Sequence, residues 1–441
     1  MIKKFLLVFI FFVCFFVNAY ASDEFVLSCT EDGEIDWLSW CENCGFFADF
    51  EIDEDGFITV ASSVFNLSRF NCMGAIAWEN TYFPESSATI GDIKLDGNGD
   101  VIATGTYATG KVDSDGNKIW DYLGYSGGFN AIAIDTSNNV YLAGMDLKLQ
   151  ALDSNGNELW FQQYWEEYIY NGNYRDILFD NEESLILTGY YNEDSDFRNS
   201  IVNKYDLQGN IQWSFEIDKH VLQKEAEAEL NIEAKKLAIT EQQEVIVAGD
   251  VEDGNDRELF ALAIDFEGTL LWFATFPGVR FLSDMEVDHN NNVLLTGGQD
   301  LYYIAQSNFI VVKYDENGIL QWQSSYIFDS FSSSEDIAVN SQNEIFVAGW
   351  MCLEDMYPLD PEECDIALLK IDEDGNEIFK KTIGQDGQDE YAYRVEFDDQ
   401  GNAYVAGQAQ YFEIDDDDNN DDSSPTDADD DDDDSGCGCG G

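Results

Sequence analysis

The sequence predicts an all-β protein, a single β-propeller of eight four-stranded blades, with seven blades as the alternative. Three observations support this: a unit repeated at roughly 40 to 50 residues, two polar turns in each unit, and few helix-forming segments. An aromatic residue follows a glycine by four positions in every copy: Trp37, Trp78, Trp120, Trp160, Trp213, Trp272, Trp322 and Phe379. Such self-similarity is typical of propellers and solenoids.

The first half of each unit predicts a hairpin around a polar turn. Ile93 to Gly105 reads Ile-Lys-Leu-Asp-Gly-Asn-Gly-Asp-Val-Ile-Ala-Thr-Gly, and Ile132 to Gly144 repeats this pattern. Further copies end at Gly189, Gly249, Gly297, Gly349 and Gly407, and a degenerate copy ends at Ser62. These eight copies predict eight blades. The count is seven if the degenerate unit, Phe47 to Phe83, does not form a blade of its own.

The second half of each unit predicts another hairpin, as in Val112 to Trp120. Alternating apolar residues flank Asp-x-Asp-Gly or Asp-x-Asn-Gly, where the acid or amide caps its own turn and glycine accepts a positive φ. Two hairpins supply the four strands of one blade. We expect each tryptophan to pack against the next blade, because a ligand-binding residue need not be copied into every unit.

The two ends of the repeat region each supply half a unit. Phe25 to Trp37 is a lone second half, and Tyr393 to Gly407 is a lone first half. They predict a ring closed by pairing of N-terminal with C-terminal strands, which leaves no open sheet edge. Leu222 to Lys236 is rich in helix formers and is predicted as a short surface insertion between blades.

The N-terminus predicts export. Residues 1–21 have a basic start at Lys3 and Lys4, an apolar core and Ala19-Tyr20-Ala21 before the cleavage point, as in a signal peptide. The apolar run is shorter than the roughly 20 residues of a spanning helix. We therefore expect no transmembrane helix in the mature chain, and a protein that is secreted or held at the surface or outer membrane of a Gram-negative bacterium.

The net charge of −68, from 89 acidic and 21 basic residues, excludes nucleic acid as a partner because both would be polyanions. A propeller at 22–412 is followed by an acidic linker at 413–436, predicted to be disordered, and by a Cys-Gly tail at 437–441. We expect the protein to be a monomer.

Eight cysteines follow the signal peptide, and an even number in an exported chain favours disulfides. Cys352 and Cys364 bracket the loop Leu353 to Glu363, where a bridge would staple an insertion. The remaining candidates for structural bridges are Cys29, Cys41, Cys44 and Cys72. Cys41 and Cys44 also have the spacing of a redox or zinc pair, without the strand-helix context of a thiol oxidoreductase.

The unit resembles the repeat of bacterial SBBP propeller proteins, most closely at Val311 to Gly318 and Gly401 to Gly407. The resemblance implies the propeller fold and no particular activity. The tryptophan half, as in Ala151 to Trp160, is similar to quinoprotein dehydrogenase repeats, which implies a pyrroloquinoline quinone cofactor and calcium. The characteristic threonine and vicinal disulfide of that family are missing.

The tail Ser435 to Gly441 resembles the opening of a myxobacterial-type C-terminal sorting signal. This resemblance implies surface anchoring through Cys437 and Cys439. The apolar segment and basic residues that follow in that signal are not present in this sequence. The alternatives are a truncated sequence, release of the protein, and a simple disulfide or metal-binding end.

Aspartate-rich turns make calcium the one candidate cofactor, with Asp96, Asn98, Asp100, Asp113 and Asp115 as candidate ligands. An EF-hand loop needs glycine at its sixth position and a bidentate acid at its twelfth. The loop that starts at Asp96 has Val101 and Tyr107 there. We therefore expect ordinary hairpin turns and no bound cofactor.

No catalytic residues are predicted. His220 and His289 are the only histidines, which excludes a zinc site of three histidines and limits any Ser-His-Asp arrangement. The sequence favours a non-enzymatic binding or scaffold protein whose ligand is a protein or a glycan. The alternative is a propeller enzyme, either a quinone-dependent dehydrogenase or a polysaccharide-cleaving enzyme.

Overall fold

A computed structural model describes residues 22–29, 35–41, 46–63, 65–82, 89–122, 128–164, 171–180, 184–192, 197–224, 230–254, 256–279, 281–298, 308–328, 331–353, 363–385, 388–398 and 401–411. All of them belong to one unit, Met1–Tyr411. The predicted signal peptide, acidic linker and Cys-Gly tail lie outside these residues. Among the described segments, no helix is long and apolar enough to cross a membrane.

The described residues are all-β, as predicted. The first sixteen strands are β1 (Ser22–Cys29), β2 (Ile35–Cys41), β3 (Phe47–Ile52), β4 (Ile58–Ser62), β5 (Asn66–Phe70), β6 (Ile76–Thr81), β7 (Ile90–Leu95), β8 (Val101–Gly105), β9 (Thr109–Val112), β10 (Lys118–Tyr122), β11 (Phe129–Ile134), β12 (Val140–Gly144), β13 (Lys148–Leu152), β14 (Glu158–Gln163), β15 (Asn171–Phe179) and β16 (Leu185–Asn192). The others are β17 (Arg198–Tyr205), β18 (Ile211–Ile217), β19 (Leu230–Ile239), β20 (Val245–Asp253), β21 (Asp256–Ile264), β22 (Leu270–Pro277), β23 (Phe281–Val287), β24 (Val293–Gly298), β25 (Phe309–Tyr314), β26 (Leu320–Tyr326), β27 (Phe331–Val339), β28 (Ile345–Leu353), β29 (Glu363–Ile371), β30 (Glu377–Ile383), β31 (Gln388–Phe397) and β32 (Ala403–Tyr411).

The strands pair as antiparallel meanders of four. Six of these are separate four-stranded sheets, including β3 to β6 from the degenerate unit. Two more, β15 to β18 and β19 to β22, are joined by one parallel pair between Arg198 and Asn231. In the sheet that contains both ends of the repeat region, the order is β2-β1-β32-β31, and Phe25 in β1 lies opposite Gly407 in β32.

Polar turns join the strands as the sequence predicts. Asp53 is typical, because its Oδ1 accepts hydrogen bonds from the backbone N–H groups of Asp55 and Phe57. Gly56 in the same turn has a φ of 76°, which disfavours a side chain. The carboxylate therefore takes over backbone donors that the turn would otherwise leave unsatisfied.

The recurring tryptophans pack across neighbouring sheets, which confirms that prediction for the described side chains. The indole Nε1 of Trp120 donates to the backbone oxygen of Ser154, 3.1 Å away in the next sheet's turn. A Cβ on Gly156 of that turn would lie 2.7 Å from the Trp120 ring. The glycine that allows the turn therefore also makes room for the preceding sheet's ring.

Apolar residues form clusters between successive sheets. Val26 in β1 and Tyr404 in β32 share one cluster with Phe50 in β3. On the other side, Phe25 of β1 packs with Phe346 of β28. The sheet built from both ends of the repeat region therefore lies between the sheets β27 to β30 and β3 to β6.

The prediction for Leu222 to Lys236 is wrong for most of its described part. Residues 230–236 belong to strand β19, in which Leu230, Ile232 and Ala234 are buried in alternation. Leu222 is also buried, in the cluster that contains these strand residues. Glutamate and lysine at the alternate positions give this strand the composition of a helix. The prediction relied on that composition and missed the alternation of apolar and polar residues that is typical of a strand.

The sheets have one uniform and one variable edge. At the uniform edge, strands one and two and strands three and four of every sheet are separated by five residues, for example 53–57 and 71–75. At the opposite, variable edge, the connections range from two residues at 254–255 to twelve at 218–229. Insertions are therefore confined to one edge of the repeat.

The disulfide between Cys352 and Cys364 is present, as predicted, and joins directly opposed positions of β28 and β29. Residues 354–362 of the bracketed loop lie outside the described chain. Cys41 is disulfide-bonded and buried, and its sulfur lies 3.1 Å from the Ser68 hydroxyl. Cys72 is exposed, Cys44 lies outside the described residues, and the pairing within this group stays a prediction.

Candidate ligand-binding site

The first strand of each sheet contains a bulge. In β3, Phe47 pairs with Ser62 and Asp49 with Ala61, so that Ala48 is the extra residue. The residues directly after the bulge in the eight first strands are Asp49, Asp92, Ala131, Asp176, Lys236, Asp284, Asp336 and Arg394. Repetition of the bulge thus places charged side chains at equivalent positions in seven of these strands.

The aspartates after the bulge connect neighbouring sheets. Asp92 Oδ2 accepts a hydrogen bond of 2.6 Å from the backbone N–H of Ile132, and Asp176 Oδ2 accepts one of 2.8 Å from Leu237. Asp336 does the same with Val395, at 2.7 Å. Each of these carboxylates therefore fixes the register of the next first strand.

Two basic residues lie among these aspartates. Arg394 contacts Asp49 through Nε at 3.1 Å and Asp336 through Nη1 at 3.3 Å, and Lys236 Nζ lies 2.5 Å from Asp284. Burial opposes ionisation of Asp49 and Asp284, but these basic neighbours outweigh it and lower both pKa values. Burial and the adjacent Asp284 charge raise the pKa of Asp336 well above its usual range.

A cavity of about 600 Å³ lies between the first strands and has lining residues from all eight of them. We call it the shared cavity. Its charged wall includes Lys94, Arg175, Lys235, Glu286 and Glu396 in addition to the residues after the bulge. Positive and negative groups thus share the wall of one cavity.

A second cavity, of about 500 Å³, lies toward the variable edge, where the first strands begin. We call it the aromatic cavity, because Phe46, Phe47 and Tyr393 line it. Phe46 is 52% exposed. Phe47 and Tyr393 stack with their ring centroids 5.9 Å apart and their planes 16° from parallel, and Tyr391 extends the row at 6.3 Å from Tyr393.

Polar groups complete the wall of the aromatic cavity: Lys236, Ser283, Glu335, Arg394 and Gln408. The Glu335 carboxylate accepts a hydrogen bond of 2.9 Å from the indole N–H of Trp350. Burial raises the pKa of Glu335, and burial also raises the pKa of Tyr393 to about 12. Aromatic faces and hydrogen-bonding groups of both polarities therefore meet in one concave surface, as in many ligand sites.

The calcium candidates already have partners in the described structure. Asp96 Oδ1 accepts the N–H groups of Asn98 and Asp100, and Lys111 Nζ lies 2.5 Å from Asp96 and 2.9 Å from Asp100. Across the described residues, no group of three acidic, histidine or cysteine side chains is arranged to hold a metal ion.

The second candidate turn is also internally bonded. Asp113 Oδ1 accepts the N–H groups of Asp115 and Asn117, and burial is slight, so these hydrogen bonds lower the Asp113 pKa. His220 and His289 are exposed in turns. Cys437 and Cys439, the anchoring candidates, lie outside the described chain.

Sequence reasoning did not find the residues of the two cavities. Periodicity identifies what the copies share, whereas Asp49, Lys236 and Arg394 are different residues at one shared position. A signal was available, because the residue four positions before each first-half turn, as Lys236 is before Thr240, falls on the first strand of its sheet. Recognising it required the position of the bulge, which no turn motif gives.

Comparison with solved structures identifies propellers. The chain is similar to BamB from Moraxella catarrhalis, with a TM-score of 0.51, 11% identity, and coverage of 82% of this chain and 96% of that one. It is similar to the Dos1 propeller (TM-score 0.56, 10% identity, coverage 82% and 93%) and to the C-terminal WD40 domain of Sif2 (0.52, 9%, 82% and 97%).

At these identities the similarity shows the β-propeller fold and nothing about activity. No protein-family model matches the chain, and no curated protein matches it.

Proposed function

We propose that the protein is an exported, non-enzymatic β-propeller that binds a protein or a glycan at its variable edge. The aromatic cavity is the observation that carries this proposal, since partly exposed rings converge there with polar groups. Connections of variable length surround the same edge, and loops on a rigid scaffold are the usual location of binding residues.

The proposal includes a closed ring of eight blades, each formed by one set of four strands. The pairing of β1 with β32 supports closure, as does the bridge of Arg394 in β31 to Asp49 in β3. The repeat pattern supports membership of the SBBP type. Closure through strands from both ends would remove the exposed edges that otherwise promote aggregation.

We place the protein outside the cell, secreted or held at the surface of a Gram-negative bacterium. The signal-peptide features of residues 1–21 support export. The Cys352–Cys364 disulfide supports an oxidising compartment. The resemblance of the tail to a sorting signal supports Cys437 and Cys439 as the attachment point.

Binding assays on immobilised glycans and on envelope proteins test this function. We expect Phe46→Ala to weaken binding about fivefold or more. An exposed ring at a binding site contributes a binding free energy on the order of 1 kcal/mol through its contact with the ligand. Ile319→Ala is the matched control, since Ile319 is 61% exposed in a turn at the uniform edge.

Equal loss in both variants, or no loss in either, would contradict a site at the aromatic cavity. Turnover of a sugar or alcohol substrate, with or without added quinone and calcium, would contradict the non-enzymatic role.

A further inference from the structure

We propose that the aromatic cavity binds a glycan unit bearing a carboxylate, a sugar of the uronic acid class. The inference rests on the proposed binding function and specifies its ligand. Sugar rings present apolar C–H faces that pack on aromatic side chains and hydroxyl groups that both donate and accept hydrogen bonds. Phe46, Phe47 and Tyr393 supply the rings, while Gln408 and Glu335 supply polar partners for hydroxyls.

The basic residues of this wall determine which sugar fits. The side chain of Lys236 is 27% exposed while its partner Asp284 is 10% exposed. The side chain of Arg394 is 33% exposed while its partners Asp49 and Asp336 are 8% and 6% exposed. A ligand in the cavity therefore contacts the N–H groups of Lys236 and Arg394 more readily than the less exposed carboxylates that pair with them.

The ion pairs within the protein leave part of the Arg394 guanidinium unused. Arg394 contacts its two carboxylates through Nε and Nη1, so its guanidinium is held with a further edge directed away from them. Lysine and arginine have no acceptor, so a ligand group beside them must accept hydrogen bonds. A carboxylate satisfies this best, because charge-assisted hydrogen bonds are about twice as strong as neutral ones.

One further group points to a hydroxylated ligand. Ser283 lines the aromatic cavity, and its Oγ is shielded from solvent and has no hydrogen-bond partner among the described residues. A buried hydroxyl without a hydrogen bond is destabilising, and a ligand hydroxyl at this wall would supply the missing partner.

The net charge of the chain restricts the proposal further. At −68, the protein repels densely charged acidic polymers at long range. A glycan with isolated carboxylates avoids most of this repulsion, because charges separated by more than about 8 Å are screened at physiological salt. We therefore infer a sparsely carboxylated glycan.

Calorimetric titration of the mature full-length chain tests the inference with a matched pair of sugars. One probe is xylobiose substituted with a single glucuronic acid; the other is the same trisaccharide with its carboxyl reduced to an alcohol. We expect the reduced sugar to bind about tenfold more weakly or worse, the effect of losing one charge-assisted contact.

A paired variant tests the residue assignment without leaving an unbalanced buried charge. Lys236→Gln with Asp284→Asn removes both charges of one ion pair, and we expect it to bind the two sugars with affinities within about threefold of each other. Glu51→Gln with Lys94→Gln is the control, because that ion pair does not line the aromatic cavity. The control should keep the preference for the acidic sugar.

Equal affinities of the unmodified protein for both sugars would overturn the inference, as would binding of neither, or a control variant that loses the preference. A tripeptide with a free C-terminal carboxylate that binds more tightly than the acidic sugar would assign the cavity to peptides instead. After any of these outcomes, another protein or glycan ligand whose binding is weakened by Phe46→Ala would still support the proposed binding function.

Discussion

Glu286 and Glu396 occupy equivalent positions, two residues after the residue that follows the bulge, and both line the shared cavity. Burial, aided by the Asp284 charge, raises the pKa of Glu286 from 4.5 to about 7. Burial, aided by the Glu51 charge, raises the pKa of Glu396 from 4.5 to about 8. Both acids therefore hold their protons in the folded protein at pH values where the unfolded chain has lost them.

The sign of the resulting pH effect follows from proton binding. Between about pH 4.5 and pH 8 the folded state binds more protons at these sites than the unfolded state, so their contribution to stability falls as the pH rises. Glu396→Gln removes one of these groups while retaining its shape. We expect its melting temperature to match that of the unmodified protein near pH 4.5 and to exceed it by about 2 to 5 °C at pH 8.

Thermal melts at both pH values measure this difference. Glu54→Gln, in an exposed turn at the uniform edge, is the control and should give no pH-dependent gain. A Glu396→Gln variant that gained nothing at pH 8, or gained equally at both pH values, would show that the carboxyl does not retain its proton on folding.

In seven of the eight sheets, an acid of the first turn is balanced by a residue on strand two or three. Lysine or arginine on strand three, opposite the repeated aromatic residue, pairs with this turn in five sheets: Arg69, Lys111, Lys204, Lys313 and Lys370. Where that position is Ala151 or Ser28, a tyrosine of strand two bonds the aspartate instead, as Tyr141 does with Asp135. In the remaining sheet, β19 to β22, the turn opens with Thr240, and Ala263 lies opposite the repeated aromatic residue. Neither of these two positions carries a charge.

Removal of one such lysine should be costly. Lys111 is 5% exposed and Asp96 is 0% exposed, so Lys111→Met leaves a buried, uncompensated carboxylate, and we expect a loss of about 3 to 5 kcal/mol in unfolding free energy. Urea denaturation measures this. Lys118→Met is the control, because Lys118 and Asp121 are 49% and 37% exposed, and such a pair contributes at most about 1 kcal/mol.

The rescue variant distinguishes electrostatics from packing. Asp96→Asn keeps the oxygen that caps the turn, so combining it with Lys111→Met should recover a substantial part of the loss. If the double variant is as unstable as Lys111→Met alone, the lysine stabilises the sheet by its packed methylene groups, and the interpretation of the pair as a charge balance is wrong.

The turns and tryptophans were predictable because each copy repeats the same local chemistry. Asp113 and Gly116 specify one hairpin by themselves, and Trp120 packs on a glycine that the next copy supplies. The aromatic cavity was not predictable in this way, because Phe47 and Tyr393 are far apart in sequence and occur once each. Their contact depends on the position of the sheet built from both ends of the repeat region.

At the scale of the whole molecule, the basic residues are concentrated in a few places. Five of the 21 line the shared cavity: Lys94, Arg175, Lys235, Lys236 and Arg394. Five more balance the first turns of their sheets. Because 89 acidic residues face 21 basic ones, the chain as a whole carries a large excess of negative charge. Self-repulsion of this kind destabilises a folded chain and is reduced by salt.

We therefore expect the melting temperature to rise by about 5 °C or more between roughly 0.05 and 1 M NaCl, through screening of surface repulsion.

Calcium should add nothing specific, because Asp96 and Asp113 already accept hydrogen bonds from their own turns. Melts in calcium and magnesium chloride at equal ionic strength separate the two effects, and we expect equal shifts. A calcium-specific rise that Asp113→Asn abolished would instead identify that turn as a calcium site, and a melting temperature that fell with NaCl would show that ion pairs outweigh the surface repulsion.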